Sequence, residues 1–206
     1  MLKIWGRDNS VNVQKVLWAC AEMGVTYERI DAGGEFGEVN TPQYRALNPN
    51  GLVPTIEDSG FVLWESNAIV RYLSAKHSAG KLWPDDLKVR AEADKWMDWQ
   101  NSTLWPSLRP LFWALIRTPV DQRDAKMMED ARARTAEVLG YLDDHLRNHA
   151  YVAGDALTMG DIPLGSGVWR WFALPIERPE LPHLQRWFQL LRQRPAYQSS
   201  VMLPLT

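Results

Sequence analysis

Residues 48–73 read NPNGLVPTIEDSGFVLWESNAIVRYL, and three structural signals follow one another in that stretch. Asn48-Pro49-Asn50-Gly51 is a turn, because Pro fixes one backbone angle and Asn and Gly tolerate the left-handed region. Leu52 to Glu57 then reads as a strand, Asp58-Ser59-Gly60 as a tight turn, and Phe61 to Leu63 as the returning strand of an antiparallel hairpin. A helix follows, with Ile69, Tyr72 and Leu73 on its inner face. Upstream, Leu2 to Trp5 is a short apolar run that reads as a buried strand. The turn Arg7-Asp8-Asn9-Ser10 leads into a helix whose face carries Val13, Val16, Leu17 and Cys20 and which stops at Gly24. Thr26 to Ile30 is a second strand, parallel to the first by the right-handed crossover rule. A glycine-bearing loop from Asp31 to Thr41 and a short helix around Pro42 to Ala46 complete a βαβ-ββα order.

Beyond Asp86 no segment reads as a strand. Leu87 to about Leu104 is amphipathic, and Pro106 and Pro110 are expected to bend or interrupt the helix there. Asp121 to Arg147 reads as one long helix, with Ala131, Thr135, Val138, Leu142 and Leu146 inward, and Pro182 to Arg192 as another. Mixed strands and helices followed by helices alone predict two domains, residues 1–77 and 87–206, joined by a linker at 78–86.

The 206 residues carry a net charge of −2 with the two signs interspersed, which argues against a nucleic-acid partner. No apolar run is long enough for a membrane span, and the first ten residues lack a signal-peptide core, so a cytoplasmic protein without a membrane partner is expected. With Cys20 as the one cysteine, an internal disulfide, a CxxC pair and a cysteine-rich zinc site are excluded. Its place on the apolar helix face predicts a buried, inert thiol. No metal is expected: His77, His145, His149 and His183 show no ligand spacing, and His145 and His149 read as solvated residues near a helix end. Of the eleven tryptophans, seven lie between Trp83 and Trp171, where they serve packing, a pocket wall or both.

Three motifs can carry chemistry. In Leu52-Val53-Pro54-Thr55, a cis proline would present the Val53 backbone to an extended peptide, although, taken alone, the motif favours an edge-strand proline in an ordinary turn. In Trp64-Glu65-Ser66-Asn67-Ala68, the free amides of a helix N-terminus, the Ser66 hydroxyl and the Glu65 charge suit the zwitterionic end of an amino acid; simple capping by Ser66 is the plainer account. In Asn9-Ser10-Val11-Asn12, a hydroxyl at a helix start can donate to a bound thiolate and lower its pKa from roughly 8.5, or can merely cap the helix. In a thioredoxin-like sheet these three places converge at one end.

In these motifs, the 48–73 block above all, the chain resembles the cytosolic glutathione transferases along essentially its whole length. Leu157-Thr158-Met159-Gly160-Asp161 resembles that family's helix-capping segment, and Asp161 is given a folding role. The resemblance implies a thioredoxin-like N-terminal domain with a mixed four-stranded sheet and an all-helical C-terminal domain. It implies a cis bond at Pro54, Val53 pairing with the cysteinyl backbone of glutathione, and Glu65 and Ser66 on the γ-glutamyl end. It also implies glutathione as co-substrate, a small hydrophobic electrophile as second substrate, and a homodimer; Arg71 and Lys76, with Arg90 and Asp94, are read as a polar contact face or an ordinary solvated surface. No tyrosine occurs in the first 26 residues, and Ser10 stands where cysteine-type classes carry their cysteine, so Ser10 matches the theta-like serine. Asn12 is the competitor for orienting the thiol. Trp105, Arg109 and Trp113 share a helical face and are expected at the hydrophobic substrate site, with interdomain packing and surface charge as the alternatives. Theta-like relatives hold the glycyl carboxylate with basic residues; residues 38–41 and 50–52 here contain no Lys or His. The expected activity is glutathione transfer, with glutathione-dependent disulfide or peroxide reduction, or a non-catalytic binding module, as alternatives.

Overall fold

The computed structural model describes residues 1–206. Four short strands, β1 (Leu2–Trp5), β2 (Tyr27–Ile30), β3 (Thr55–Asp58) and β4 (Phe61–Trp64), form one sheet in the order β2-β1-β3-β4. β1 runs parallel to β2 and antiparallel to β3, and β3 pairs antiparallel with β4. Ile4 sits opposite Ile56, both fully buried, so the register brings the apolar faces of the two central strands together. β3 begins at Thr55 rather than Leu52: the Leu52 carbonyl instead accepts from the Tyr44 hydroxyl and the Asn48 side chain, and the Leu52 side chain is exposed. The Val53–Pro54 bond is cis.

The helices of the first part are α1 (Val11–Met23), α2 (Pro42–Leu47) and α3 (Ser66–His77). α1 ends at Gly24, whose left-handed conformation (φ 66°) lets its amide reach back to the Ala21 carbonyl. An amphipathic helix would bury one stripe, but α1 buries Val11 and every residue from Val13 to Cys20. It packs on α3 on one side and on two helices of the second half on the other. Cys20 is fully buried, and burial pushes its thiol up to about 12, so it is chemically quiet.

The second half consists of helices: α4 (Leu87–Trp99), α5 (Trp105–Ile116), α6 (Ala125–Leu146), α7 (Asp161–Ala173), α8 (Pro182–Arg192) and α9 (Pro195–Ser200). Three sequence-based expectations need correction. The prolines do not break the helix. Pro106 lies in the first turn of α5 and Pro110 further inside it, and the helix runs on past both. The irregularity is a π-helical segment at Gln100–Leu104 that joins α4 to α5. The long helix starts at Ala125 rather than Asp121, because the Asp124 carboxylate accepts from the Met127 amide and sets the N-terminus there. His145 and His149 are not freely solvated. Their rings stack at 4.6 Å and are half-buried, with His145 also against Trp96. Arg71 pairs with Asp94 and Asp98, and Lys76 with Asp58, so these charges are matched within the chain.

Two buried ionisable side chains hold this arrangement. Asp161, fully buried at the start of α7, accepts from the amides of Val152 and Thr158 and from the Trp187 indole, at 2.9–3.1 Å. Burial outweighs these bonds and raises its carboxyl to about 6. Lys15, on α1, is also fully buried, and its Nζ donates to Gln100 Oε1 at 2.8 Å and to Ser66 Oγ at 3.4 Å. Burial lowers its ammonium from 10.5 to about 7, with Glu65 opposing the shift and Arg170 adding to it.

Asp161→Ala leaves three buried donors unpaired and should lower unfolding free energy by at least about 3 kcal/mol in urea titration; a loss under 1 kcal/mol would contradict this role. For Lys15 the sign follows from proton counting. At Lys15, between pH 7 and 10, the unfolded state binds more protons than the folded state, so the contribution of this residue to stability rises with pH. Denaturant unfolding should show a gain of about 1.5 kcal/mol from pH 7 to 8.5, flattened in Lys15→Met. An equal slope in the two proteins would remove Lys15 as its source.

Candidate active site

The N-terminus of α1, the turn before β3 and the first turns of α5 meet around one cavity of about 320 Å³. Ser10, Asn12, Val53, Trp105, Arg109 and Trp113 all line it, so six of the nine predicted site residues come together. Pro54, Glu65 and Ser66 do not line it. Pro54 is buried behind Val53, and Ser66 sits one hydrogen bond back, its hydroxyl donating to Asn12 Oδ1 at 3.3 Å.

Each position has a local cause. Ser10 occupies the N-cap of α1 with extended backbone angles (φ −79°, ψ 126°), but its side chain makes no capping bond. A capping serine spends an oxygen lone pair on the helix amides; this one makes no such bond and is only 8% exposed. Asn12 differs, since its carbonyl oxygen is held by Ser66. Val53 takes no part in the turn and loop backbone bonds that occupy its neighbours, which leaves its amide and carbonyl for an extended partner.

At α3 the N-cap is Glu65, not Ser66, and Ser66 is the first helical residue. Glu65 adopts φ 73°, a left-handed value rare outside glycine and costing on the order of 1–3 kcal/mol. That conformation exposes the Glu65 side chain while Ser66 turns inward, 4% exposed, beneath Asn12 and above Lys15. Lys15, Ser66 and Asn12 thereby form a polar chain from the buried face of α1 to the cavity. No sequence signal marks Lys15, because a lysine in a helical pattern reads as solvent-facing unless the opposite face is known to be covered as well.

Arginine was also underestimated. Besides Arg109, the cavity is lined by Arg7, Arg117 and Arg170, which come from the loop after β1, the C-terminal end of α5 and the last turn of α7. Arg170 is buried and donates to Gln14 Oε1, the Ser166 carbonyl and the Asn9 carbonyl. Burial, then the charges of Arg117 and Arg7, lower its pKa from 12.5 to about 9. Arg117 is lowered by the same causes, burial first and then Arg7 and Arg109. The four guanidiniums thus feel one another across the cavity. No group of three or more His, Cys, Asp or Glu side chains is placed to hold a metal ion, and no helix is long and apolar enough to cross a membrane.

The model of the glutathione S-transferase N-terminal domain matches residues 1–75, and that of the C-terminal domain matches residues 103–195. The Escherichia coli glutathione S-transferase GstB is 41% identical over 208 residues, covering 100% of both chains. The crystal structure of the theta class glutathione S-transferase of Xanthomonas axonopodis pv. citri, with glutathione bound, is 52% identical, superimposes with a TM-score of 0.96 and covers 100% of this chain and 99% of that one. Maize glutathione S-transferase I, in complex with an atrazine glutathione conjugate, is 26% identical with a TM-score of 0.89, covering 100% of this chain and 99% of that one. With two tandem domain matches and relatives this similar along their lengths, the chain belongs to the glutathione S-transferase family.

Proposed function

We propose that Ser10 is the residue through which this glutathione transferase activates its co-substrate. The observation that carries the reading is the uncommitted Ser10 hydroxyl at the start of α1, on the wall of a cavity whose other polar lining is Asn12 and four arginines. Glutathione lies with its cysteinyl backbone against Val53 and its γ-glutamyl end against Ser66 and Glu65. Ser66 and the first amides of α3 take the γ-glutamyl carboxylate, and Glu65 takes the ammonium. Arg7, beside Leu52 and Val53 in the cavity wall, takes the glycyl carboxylate in place of the basic residues missing from 38–41 and 50–52. Lys15 supports Ser66 from below.

In this pose the sulfur lies near the Ser10 hydroxyl and the positive end of α1. One charge-assisted hydrogen bond with the helix dipole lowers a thiol pKa by about one to two units, at roughly 1.4 kcal/mol each. The proton leaves to solvent. The thiolate then attacks an electrophilic carbon held against Trp105, Phe112 and Trp113, and the leaving group departs with the bonding electron pair. Asn12, with its carbonyl tied to Ser66, orients the γ-glutamyl side of the site.

The test is an ultraviolet titration of the thiolate band of bound glutathione in wild type, Ser10→Ala and Asn12→Ala. The wild-type thiol should titrate below 8.5, and Ser10→Ala should return it to the free value with a loss of roughly 10- to 100-fold in kcat. Return to the free value in Asn12→Ala alone would transfer the role to Asn12. A normal thiol pKa in saturated wild type would refute thiolate activation.

A further inference from the structure

The second-substrate side of the cavity carries more positive charge than glutathione can use. The chain has a formal net charge of −2, so the cluster is not a sign of general basicity. Of the twelve arginines elsewhere, six make ion pairs with acids: Arg29, Arg71, Arg132, Arg134, Arg147 and Arg194. Arg7, Arg109, Arg117 and Arg170 make none, and no carboxylate side chain lines the cavity they share. Charges held this close repel one another, an arrangement that persists only if the surrounding structure fixes it.

Aromatic rings do the fixing. Arg109 lies over the Trp113 ring with its guanidinium carbon 4.8 Å from the centroid. Arg117 lies 5.2 Å from Trp113 and 5.4 Å from Phe112, and Arg170 lies 5.4 Å from Phe112. Stacking holds a guanidinium by its face and leaves the in-plane N–H groups free to donate. Arg109 makes no hydrogen bond within the protein, and Arg117 makes one, to the Thr206 carbonyl. Arg170 Nε is buried and without a partner. Arg109 and Arg117 stand on α5, across the cavity from Val53, where the second substrate lies in the reading above.

We infer that the second substrate is anionic: a small electrophile whose carboxylate, next to the reacting carbon, is held by the Arg109 and Arg117 guanidiniums while Trp105 and Trp113 enclose its apolar part. This deepens the transferase reading and rests on it. In water a thiolate and a carboxylate-bearing electrophile repel one another, and the paired guanidiniums remove that repulsion at the point of attack. For a halocarboxylate the sulfur–carbon bond forms as the carbon–halogen bond breaks. Halide leaves with the electron pair, the carboxylate is unchanged, and no oxidant or reductant takes part.

Iodoacetate and iodoacetamide form a matched pair, nearly equal in shape and different in charge. Their kcat/KM values, each divided by the rate constant for uncatalysed reaction with glutathione in the same buffer, report the preference of the site for charge. Wild type should favour iodoacetate by about tenfold or more, equivalent to ~1.4 kcal/mol, and the preference should fall as salt is added. Arg109→Gln and Arg117→Gln, at exposed positions, should each reduce it several-fold, and the double variant should abolish it. A normalised ratio near one in wild type would overturn the inference. So would variants that keep the ratio but raise KM for glutathione, since the arginines would then serve the tripeptide. Turnover of iodoacetamide with a lowered thiol pKa but no preference for iodoacetate would sink this inference alone, whereas no turnover of either, with a normal thiol pKa, would sink the transferase reading beneath it.

Discussion

The site depends on α1 being covered on all sides. One flank packs on α3 of its own domain, and the other packs on α7 and α9 of the helical half. Contact with α7 is close enough that a side-chain carbon at Gly165 would lie 2.7 Å from the Trp18 ring, so only glycine allows this approach. Trp18 in turn meets Tyr197 edge-on at 4.7 Å, and Tyr197 returns a hydrogen bond to the Gly165 carbonyl. Glu22, bonded to both the Trp18 indole and the Arg194 guanidinium, closes the same seam. A helix held on both flanks cannot shift without disturbing two cores, and its N-terminus therefore points into the cavity from a rigid mount. Rigidity matters there because a donor lowers a thiolate's energy only if it need not reorganise when charge appears.

Burial also turns the polar residues of α1 into site components. Gln14 and Lys15 are enclosed between domains, and each finds a partner on the far side: Gln14 with Arg170, Lys15 with Gln100 and Ser66. The two domains are thus joined by polar as well as apolar contacts. Both polar links end beneath the cavity. A change in the charge of Lys15 is felt at Ser66, and a change at Arg170 is felt at the backbone of Asn9, next to Ser10.

What the sequence made readable, and what it left hidden, divides along this seam. The hairpin and helix of residues 48–73 were legible because turn residues, strand alternation and the helix pattern are local, and each agrees with the next. So was the stop at Gly24, where one backbone conformation demands one residue type. The interior of α7 was hidden for the opposite reason. It is buried on nearly every side from Asp161 to Trp171, so it has no polar face to set its period, and only the Thr158–Asp161 start was marked. Nothing local marks Lys15 or Arg170 for burial, because both are enclosed where the two domains meet. The cationic cavity was legible only at Arg109, whose spacing with Trp105 and Trp113 lies within one helix. Arg7 and Arg170 join it across more than 160 residues, a convergence that no local pattern encodes.

The arginines and the buried lysine meet opposite electrostatic demands with one device. Lys15 has no stacking ring and no ion-pair contact, the charge of Glu65 opposes burial only in part, and its pKa falls to about 7. The guanidiniums resist deprotonation far more strongly, and Arg109 and Arg117 stay partly in solvent over aromatic rings, so they keep their charge at working pH. The thiolate side of the cavity consequently sees a fixed positive field, while the γ-glutamyl side rests on a group whose protonation can follow its surroundings. In the pose proposed above, a carboxylate at Ser66 faces Lys15, whose Nζ lies 3.4 Å from the Ser66 hydroxyl, and so favours the charged form of the lysine.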